Sequence, residues 1–365
     1  MNFHRAFFVF ISLCALLNLS SCTQDEPLHE PSPWLNLQGN AQGTTFSIQY
    51  EDTLYRDFSD SIYAILKKVD KEVSNYDSTS LLYKFNYNTI DTVFLNEQNA
   101  IFTSIFLESI AIKEKTQHSF NPFIYNLVQY WGFGTNRKKP ENVSKIKIDS
   151  LLSLSHKIKT HYNIMEEFGY GDFPPSSWLE PTYIVKENKQ AMLDFNAIAQ
   201  GFSVDLIAEL FNQNKINNYL VEIGGEVRVK GHNKKKSKWN IGIDKPSSNN
   251  ETRSLSAIVE LDSGALATSG SYRKFFTLNG KKYSHAINPL TGYPVDHSTL
   301  SVSVYANKCS TADAYATAFL VMGKDRIIDF LNQNQNLNLD VYVIYEENHQ
   351  LRIFQSEGFP KISDP

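Results

Sequence analysis

Cysteine is scarce in this chain of 365 residues, which contains only three. Cys14 lies inside an apolar N-terminal run and Cys22 follows it, so Cys309 alone is left for the folded body and no disulfide can form within it. Stability must then come from a core, which 42% hydrophobic and 13% aromatic content can build at this length. Length permits either two domains or one elaborated domain. Basic charge is not in excess: formal net charge is −4, and without a large basic stripe the chain is not expected to bind nucleic acid. The dense basic run Lys234-Lys235-Lys236 with Lys238 sits between Gly231 and Trp239 and reads as a solvated hairpin loop. Also missing are a Gly-x-Ser-x-Gly elbow, a zinc-type Cys/His cluster and an obvious catalytic cysteine, which removes the common hydrolase and thiol classes, and neither a P-loop nor a dinucleotide fingerprint is present. No internal repeat or low-complexity tract stands out.

Long apolar runs are absent too. The stretch from Ala6 to Leu17 is too short to span a bilayer, and with Arg5 before it the pattern is a signal-peptide core. Leu19-Ser20-Ser21-Cys22 is similar to a bacterial lipobox, which predicts a signal peptide over residues 1–21 and a lipidated N-terminus at Cys22. The plainer alternative is an ordinary secretory signal with an incidental cysteine. Pro27, Pro31 and Pro33 then make residues 22–38 a stiff tether, leaving 39–365 for the folded domain.

Hydrophobic periodicity predicts a strand over Thr44 to Tyr50 and a helix carrying Ile62, Ile65, Leu66, Val69 and Val73, stopped by Ser74-Asn75-Tyr76-Asp77. A second helix is expected from about Asn99 to Lys115. A third opens at Ser119-Phe120-Asn121-Pro122 and ends near Trp131-Gly132-Phe133-Gly134. From Thr135 to Pro181 the pattern weakens and reads as peripheral strands or turns. After Thr182 come strand, turn, strand and a helix over Ser203 to Asn212. The remainder is mostly strands, interrupted by one helical region from Thr311 to Met322 that runs on toward Leu331. Early helices and late antiparallel-type strands define an α+β class.

Several segments carry possible chemistry. Ala265 to Arg273, with Thr268-Ser269-Gly270, and Ser284 to Pro294, with His285 and Asn288-Pro289-Leu290-Thr291-Gly292, suit a polar ligand held by backbone and hydroxyl groups. Asp313 and Thr317, four apart on one helix face, present two hard oxygen donors of the kind Mg²⁺ prefers. Spacing alone nevertheless favours the plainer role for Asp313, a first-turn acid satisfying a helix N-terminus. Asp194 at a strand end and Gly201 before a helix would turn backbone N–H groups toward an anion, or merely punctuate the chain. Gly224 and Gly225 read as a tight bulge. His285 could accept a proton near neutral pH, although a lone strand histidine is more often just hydrogen-bonded in place.

In order along the chain, Gln42-Gly43-Thr44-Thr45, Ser74 to Asp77, Ser119 to Pro122 with Trp131 to Gly134, Asp194 to Asp205, Ile223-Gly224-Gly225-Glu226, Ala267 to Gly270, His285 to Pro294 and Ala312-Asp313 with Thr317 resemble the ApbE family, the FAD:protein FMN transferases. The resemblance implies a T-fold-like single domain with a largely antiparallel sheet packed by helices. It implies Mg²⁺ held by Asp313, Thr317 and the Ala197 carbonyl. FAD contacts would come from Gln42, Tyr76, Ser119, Phe120, Asn121, Asp194, Gln200 and Ile287, and His285 would activate the acceptor. The implied reaction moves FMN from FAD to a Thr or Ser hydroxyl of an acceptor protein and releases AMP. Acceptors would be flavoprotein subunits of membrane redox complexes, reached from the periplasmic side of a bacterial membrane through the lipid at Cys22. Asn121 and Asn288 stand where the family usually has Asp, Gln200 where it has a charged residue, and Gln42 where Met is common. These amides keep hydrogen bonding but cannot ionise. Two other readings compete: an FAD pyrophosphatase giving FMN and AMP, and a non-catalytic flavin-binding lipoprotein.

Overall fold

The computed structural model describes residues 32–164, 179–246, 254–272 and 274–365. The expected signal peptide, Cys22, most of the tether, Arg273 and part of the weakly patterned stretch lie outside them. Strand β1 (Trp34–Ala41) and β2 (Thr44–Glu51) form a hairpin, followed by α1 (Ser59–Val73), α2 (Leu81–Asn86) and β3 (Thr92–Phe94). Next come α3 (Ala100–Lys115), α4 (Tyr125–Tyr130), α5 (Lys145–Leu154), β4 (Ile158–Ile164), β5 (Leu179–Lys186) and α6 (Ala199–Gln213). The second half runs β6 (Tyr219–Ile223), β7 (Glu226–Lys230), β8 (Trp239–Asp244), β9 (Leu255–Leu261), β10 (Ser263–Gly270), β11 (Phe275–Leu278), β12 (Lys281–Ser284) and β13 (Thr299–Ala306). It closes with α7 (Cys309–Met322), α8 (Lys324–Gln333), β14 (Asp340–Glu347), β15 (Gln350–Gln355) and β16 (Ile362–Ser363).

Eight strands build the central sheet in the order β1-β2-β6-β7-β10-β13-β14-β15, with every neighbouring pair antiparallel. Period-two alternation sends its side chains to two different cores. Val302 and Val304 of β13 with Val341 and Val343 of β14 join the helices α3, α7 and α8, whereas Tyr342 and Ile344 face a small sheet of β8, β9 and β16. Phe46, Ile48 and Tyr50 of β2 pack on α1 and α6. The α+β class and the antiparallel sheet are therefore as the sequence led us to expect.

Helix α7 is the central pillar. All its residues except Thr311 and Thr317 are buried, and Ala312, Ala314, Ala316 and Ala318 let it lie close to α6, β10 and β13. A helix apolar on every side belongs inside the protein. Asp313 is thereby carried into the interior.

Several expectations are corrected. Trp34 begins a strand inside the stretch read as tether, because its ring packs edge-on against Trp239. The third helix starts only at Tyr125, since Pro122 and an Asn121 side chain accepting from the Phe123 N–H at 2.9 Å hold a turn ahead of it. Within the weak stretch lies α5, whose Lys145-Ile146-Lys147-Ile148 alternation mimics a strand while Ser144 caps a helix. Helix α6 begins at Ala199, so Gly201 is in its first turn rather than before it. Gly224 and Gly225, at φ 69° and 112°, form a two-residue hairpin turn and not a bulge. The lysine-rich loop joins β7 to β8, which belong to different sheets, so it is no hairpin. Gly323, at φ 79°, separates α7 from α8.

Candidate active site

The plain role foreseen for Asp313 is taken by other residues. Asp205 of α6 accepts the N–H groups of Cys309 and Ser310, both at 2.9 Å, and is itself paired with Arg228 at 2.6 Å. Glu108 of α3 accepts the Ser310 and Thr311 hydroxyls at 2.9 and 3.0 Å. The α7 N-terminus is thus satisfied from outside. Asp313 turns instead toward α6, where its Oδ2 accepts the Gly201 N–H at 3.1 Å.

That bond satisfies a donor at the start of α6. Phe202 N–H makes the first ladder bond, to the Ile198 carbonyl at 2.9 Å, and the Gly201 N–H, one of the donors a helix start leaves without a ladder partner, is taken by Asp313. Ala197 belongs to the turn just ahead of that helix. Gly201 makes the approach possible, because a Cβ there would sit 2.4 Å from the Cys309 carbonyl oxygen and 2.9 Å from Asp313 Cβ. One turn along α7, Thr317 Oγ1 lies 3.1 Å from Ser269 Oγ of β10. Burial pushes the Asp313 pKa up to about 7.

Carboxylate, hydroxyl and carbonyl oxygens are hard donors, so Asp313, Thr317 and Ala197 fit a Mg²⁺ ion. Among the described residues no group of three or more His, Cys, Asp or Glu is gathered for a metal. An ion held by these three residues would have neutral oxygen ligands beside one acid.

Asp194 is positioned by a buried amide network. Asn86 Nδ2 donates to the Leu193 carbonyl at 2.8 Å and to Asn75 Oδ1 at 2.7 Å, while the Leu193 N–H returns to Asn86 Oδ1 at 2.8 Å. The Asp194 N–H reaches the Pro122 carbonyl at 2.7 Å, tying the residue to the Ser119 to Pro122 turn. Desolvation raises the Asp194 pKa to about 6. Tyr76 is exposed, and its own pKa is raised first by burial of the hydroxyl and then by the Asp194 charge, so the two share one rim. Phe120 and Ile287 point into apolar cores, and Ser119 Oγ accepts from Arg326 at 3.4 Å. These three can offer a ligand little beyond backbone. Gln42, at φ 52° in the β1–β2 turn, donates through Nε2 to Ser203 of α6 at 2.6 Å, close to Gln200.

On the other side, Trp131 Nε1 donates to the Gly292 carbonyl at 2.8 Å and stacks on Tyr283, so two motifs far apart in sequence brace the loop after His285. Asn288 serves that loop as well, its Oδ1 accepting the Leu290 N–H at 2.9 Å. His285 Nδ1 lies 3.2 Å from the Lys274 carbonyl, an acceptor only, so Nδ1 carries the proton and Nε2 keeps its lone pair. Desolvation and then the Lys274 charge lower the imidazole pKa to about 4. The ring is therefore neutral at pH 7. The unfolded chain, with a histidine near 6.5, binds the proton more readily between pH 4 and 6.5, so this group makes stability fall as pH drops through that window. The ring Cε1–H resonance is expected to titrate with a midpoint near pH 4 in NMR spectra; a midpoint near 6.5 would contradict this environment.

Sequence reasoning did not find the capping pair Asp205 and Glu108, whose link to α7 spans distant parts of the chain, nor any role for Glu226.

The fold and these residues together describe an antiparallel sheet packed by helices that carries a buried carboxylate at Asp313, a second at Asp194 and a neutral histidine at His285. The ApbE family model matches residues 42–343. A 31% identical relative covering 97% of both chains is the FAD:protein FMN transferase of Haemophilus influenzae, and the Vibrio cholerae enzyme of that name is 30% identical over 96% of this chain and 97% of its own. The solved flavin transferase ApbE from Vibrio cholerae superposes with a TM-score of 0.74 at 28% identity, covering 90% of this chain and 99% of that one. This chain belongs to the ApbE family.

Proposed function

We propose that the chain is an FAD:protein FMN transferase that uses Mg²⁺, modifies a Thr or Ser hydroxyl of an acceptor protein and releases AMP. The observation that carries this reading is Asp313, buried on α7 and held against the start of α6 by the Gly201 N–H, with the Thr317 hydroxyl one turn along the same helix, an arrangement a storage protein does not need. Asp313, Thr317 and Ala197 would hold the ion, which when bound offsets the charge that develops on the FAD pyrophosphate. Tyr76, Asp194, Gln200 and Gln42 would bind and orient the dinucleotide. His285 Nε2 takes the proton of the acceptor hydroxyl as its oxygen bonds to the FMN phosphorus, and the bond from that phosphorus to the AMP phosphate oxygen breaks. AMP leaves with that electron pair.

Residues 1–22 support placement on the periplasmic side of a bacterial membrane through lipid on Cys22, facing flavoprotein subunits of membrane redox complexes. Among the described residues no helix is long and apolar enough to cross a membrane. Loss of fatty-acid labelling in Cys22→Ser tests the anchor, and unchanged labelling would remove it.

The reaction is tested with FAD and Mg²⁺, with and without a peptide bearing the acceptor hydroxyl. AMP that appears only with the peptide, together with yellow covalent peptide, is the expected result. AMP without peptide would make the protein a pyrophosphatase, and bound FAD with no AMP would make it a binder.

A further inference from the structure

Glu226 opens β7 directly after the Gly224-Gly225 turn and is buried, yet its Oε2 has no hydrogen-bond partner among the described residues. Its carboxyl pKa is raised well above the ordinary range, first by burial and then by the nearby Asp313. A dry, unpaired carboxyl oxygen costs stability, and native structures keep such a group where something else completes it.

The surroundings define what that partner is. A Cβ on Gly224 would stand 3.0 Å from Thr44 Cγ2, 3.1 Å from Glu226 Oε2 and 3.2 Å from Gln200 Nε2, so the missing side chain keeps a polar gap between two hairpin turns and the start of α6. A cavity of about 500 Å³ opens at the first of those turns, lined by residues 40–45. Gln42 in that turn supplies a second buried oxygen, Oε1, without a partner among the described residues, while its Nε2 is committed to Ser203. Both oxygens call for hydrogen-bond donors. A phosphate is the wrong group, because its oxygens only accept at neutral pH and the Asp313 charge lies close by. A sugar hydroxyl donates to a carboxylate and pairs equally with a carboxylic acid, so it suits Glu226 in either protonation state.

We propose that Glu226 is a specificity residue whose Oε2 hydrogen-bonds a sugar hydroxyl of the bound dinucleotide, on the ribityl chain or on the ribose. This rests on the flavin-transferase reading above and adds to it a contact beside the Asp313 corner.

The test is equilibrium binding of FAD, FMN and AMP to wild type, Glu226→Leu and Glu226→Gln, with thermal melting of each ligand-free protein. Glu226→Leu is expected to melt at or above the wild-type temperature, since an unpaired buried carboxyl is removed. Its FAD affinity is expected to fall about 10- to 100-fold, the loss that goes with one hydrogen bond to a charged or strongly polar group. Glu226→Gln, which keeps a carbonyl acceptor, is expected to recover most of that affinity. A loss confined to FMN places the hydroxyl on the ribityl chain; a loss confined to AMP places it on the ribose. Wild-type affinity for FAD in a folded Glu226→Leu protein overturns the proposal, as does a Glu226→Gln protein as weak as the leucine variant, or equal losses for FMN and AMP. Should leucine pack badly, Glu226→Met takes its place under the same criteria. Failure of wild type itself to bind FAD would strike the functional reading instead.

Discussion

Asp313→Asn is expected to lower metal-dependent turnover by about a thousandfold or more while leaving the protein folded. Asparagine keeps an oxygen that can accept the Gly201 N–H, now at 3.1 Å from the carboxylate, so the α6–α7 contact has its hydrogen bond in the variant. The charge is lost, and with it the one anionic ligand of the proposed Mg²⁺ corner. Several kcal/mol of transition-state stabilisation go with such an ion, and each 1.4 kcal/mol is a factor of ten in rate. Metal titration, by calorimetry or by Mn²⁺ resonance, should show the affinity gone even without FAD. Asp205→Ala is the contrast. It removes the acceptor for the Cys309 and Ser310 N–H groups and strands Arg228, so it is expected to cost about 2 kcal/mol of stability and to leave metal affinity in the surviving folded protein. Full activity in Asp313→Asn would sink the metal assignment. Loss of metal affinity in folded Asp205→Ala would blur the division of labour between the two acids.

Gly201→Ala is expected to destabilise the protein by about 3 kcal/mol, against the direction that helix propensity predicts. Alanine inside a helix is worth about 1 kcal/mol over glycine. Here the added methyl would lie 2.4 Å from the Cys309 carbonyl oxygen, a backbone atom at the start of α7 that cannot swing aside. Relief requires the two helices to part, which opens a contact between buried elements and carries the Gly201 N–H away from Asp313. A fall in melting temperature of about 4 °C is anticipated for a chain of this size, together with weaker metal binding. An unchanged or higher melting temperature would show that the close approach of α6 and α7 is not as described.

Much of the architecture could be read from residue order. The spacing of Ile62, Leu66, Val69 and Val73 marks α1, the alternation of Phe46, Ile48 and Tyr50 marks β2, and both depend only on neighbours along the chain. Where neighbours mislead, the reading failed. Lys145 to Ile148 alternates like a strand, but Ile148 is buried against the Trp131 cluster and Ser144 caps the turn, so a helix forms. The lysine-rich loop looked like a hairpin because nothing local says that β7 and β8 belong to different sheets.

The site divides in the same way. Residue type and order were enough to nominate Asp313, Thr317, Asp194 and His285, since a carboxylate and a hydroxyl one helical turn apart, or a histidine before a tight turn, are local patterns. What those groups can do was decided by partners distant in sequence. Asp205 and Glu108 occupy the α7 N-terminus and so free Asp313 from the capping role that spacing favoured. The Lys274 carbonyl and a desolvated setting leave His285 neutral with its Nε2 lone pair. Glu226 was only the last letter of a glycine motif until the packing of three elements left its oxygen dry and unpaired. Burial and hydrogen-bond competition are properties of the assembled fold, so the sequence by itself determined which chemical groups are available and on which elements they ride. Only the tertiary structure decided which of them are already satisfied and which are left to meet a ligand.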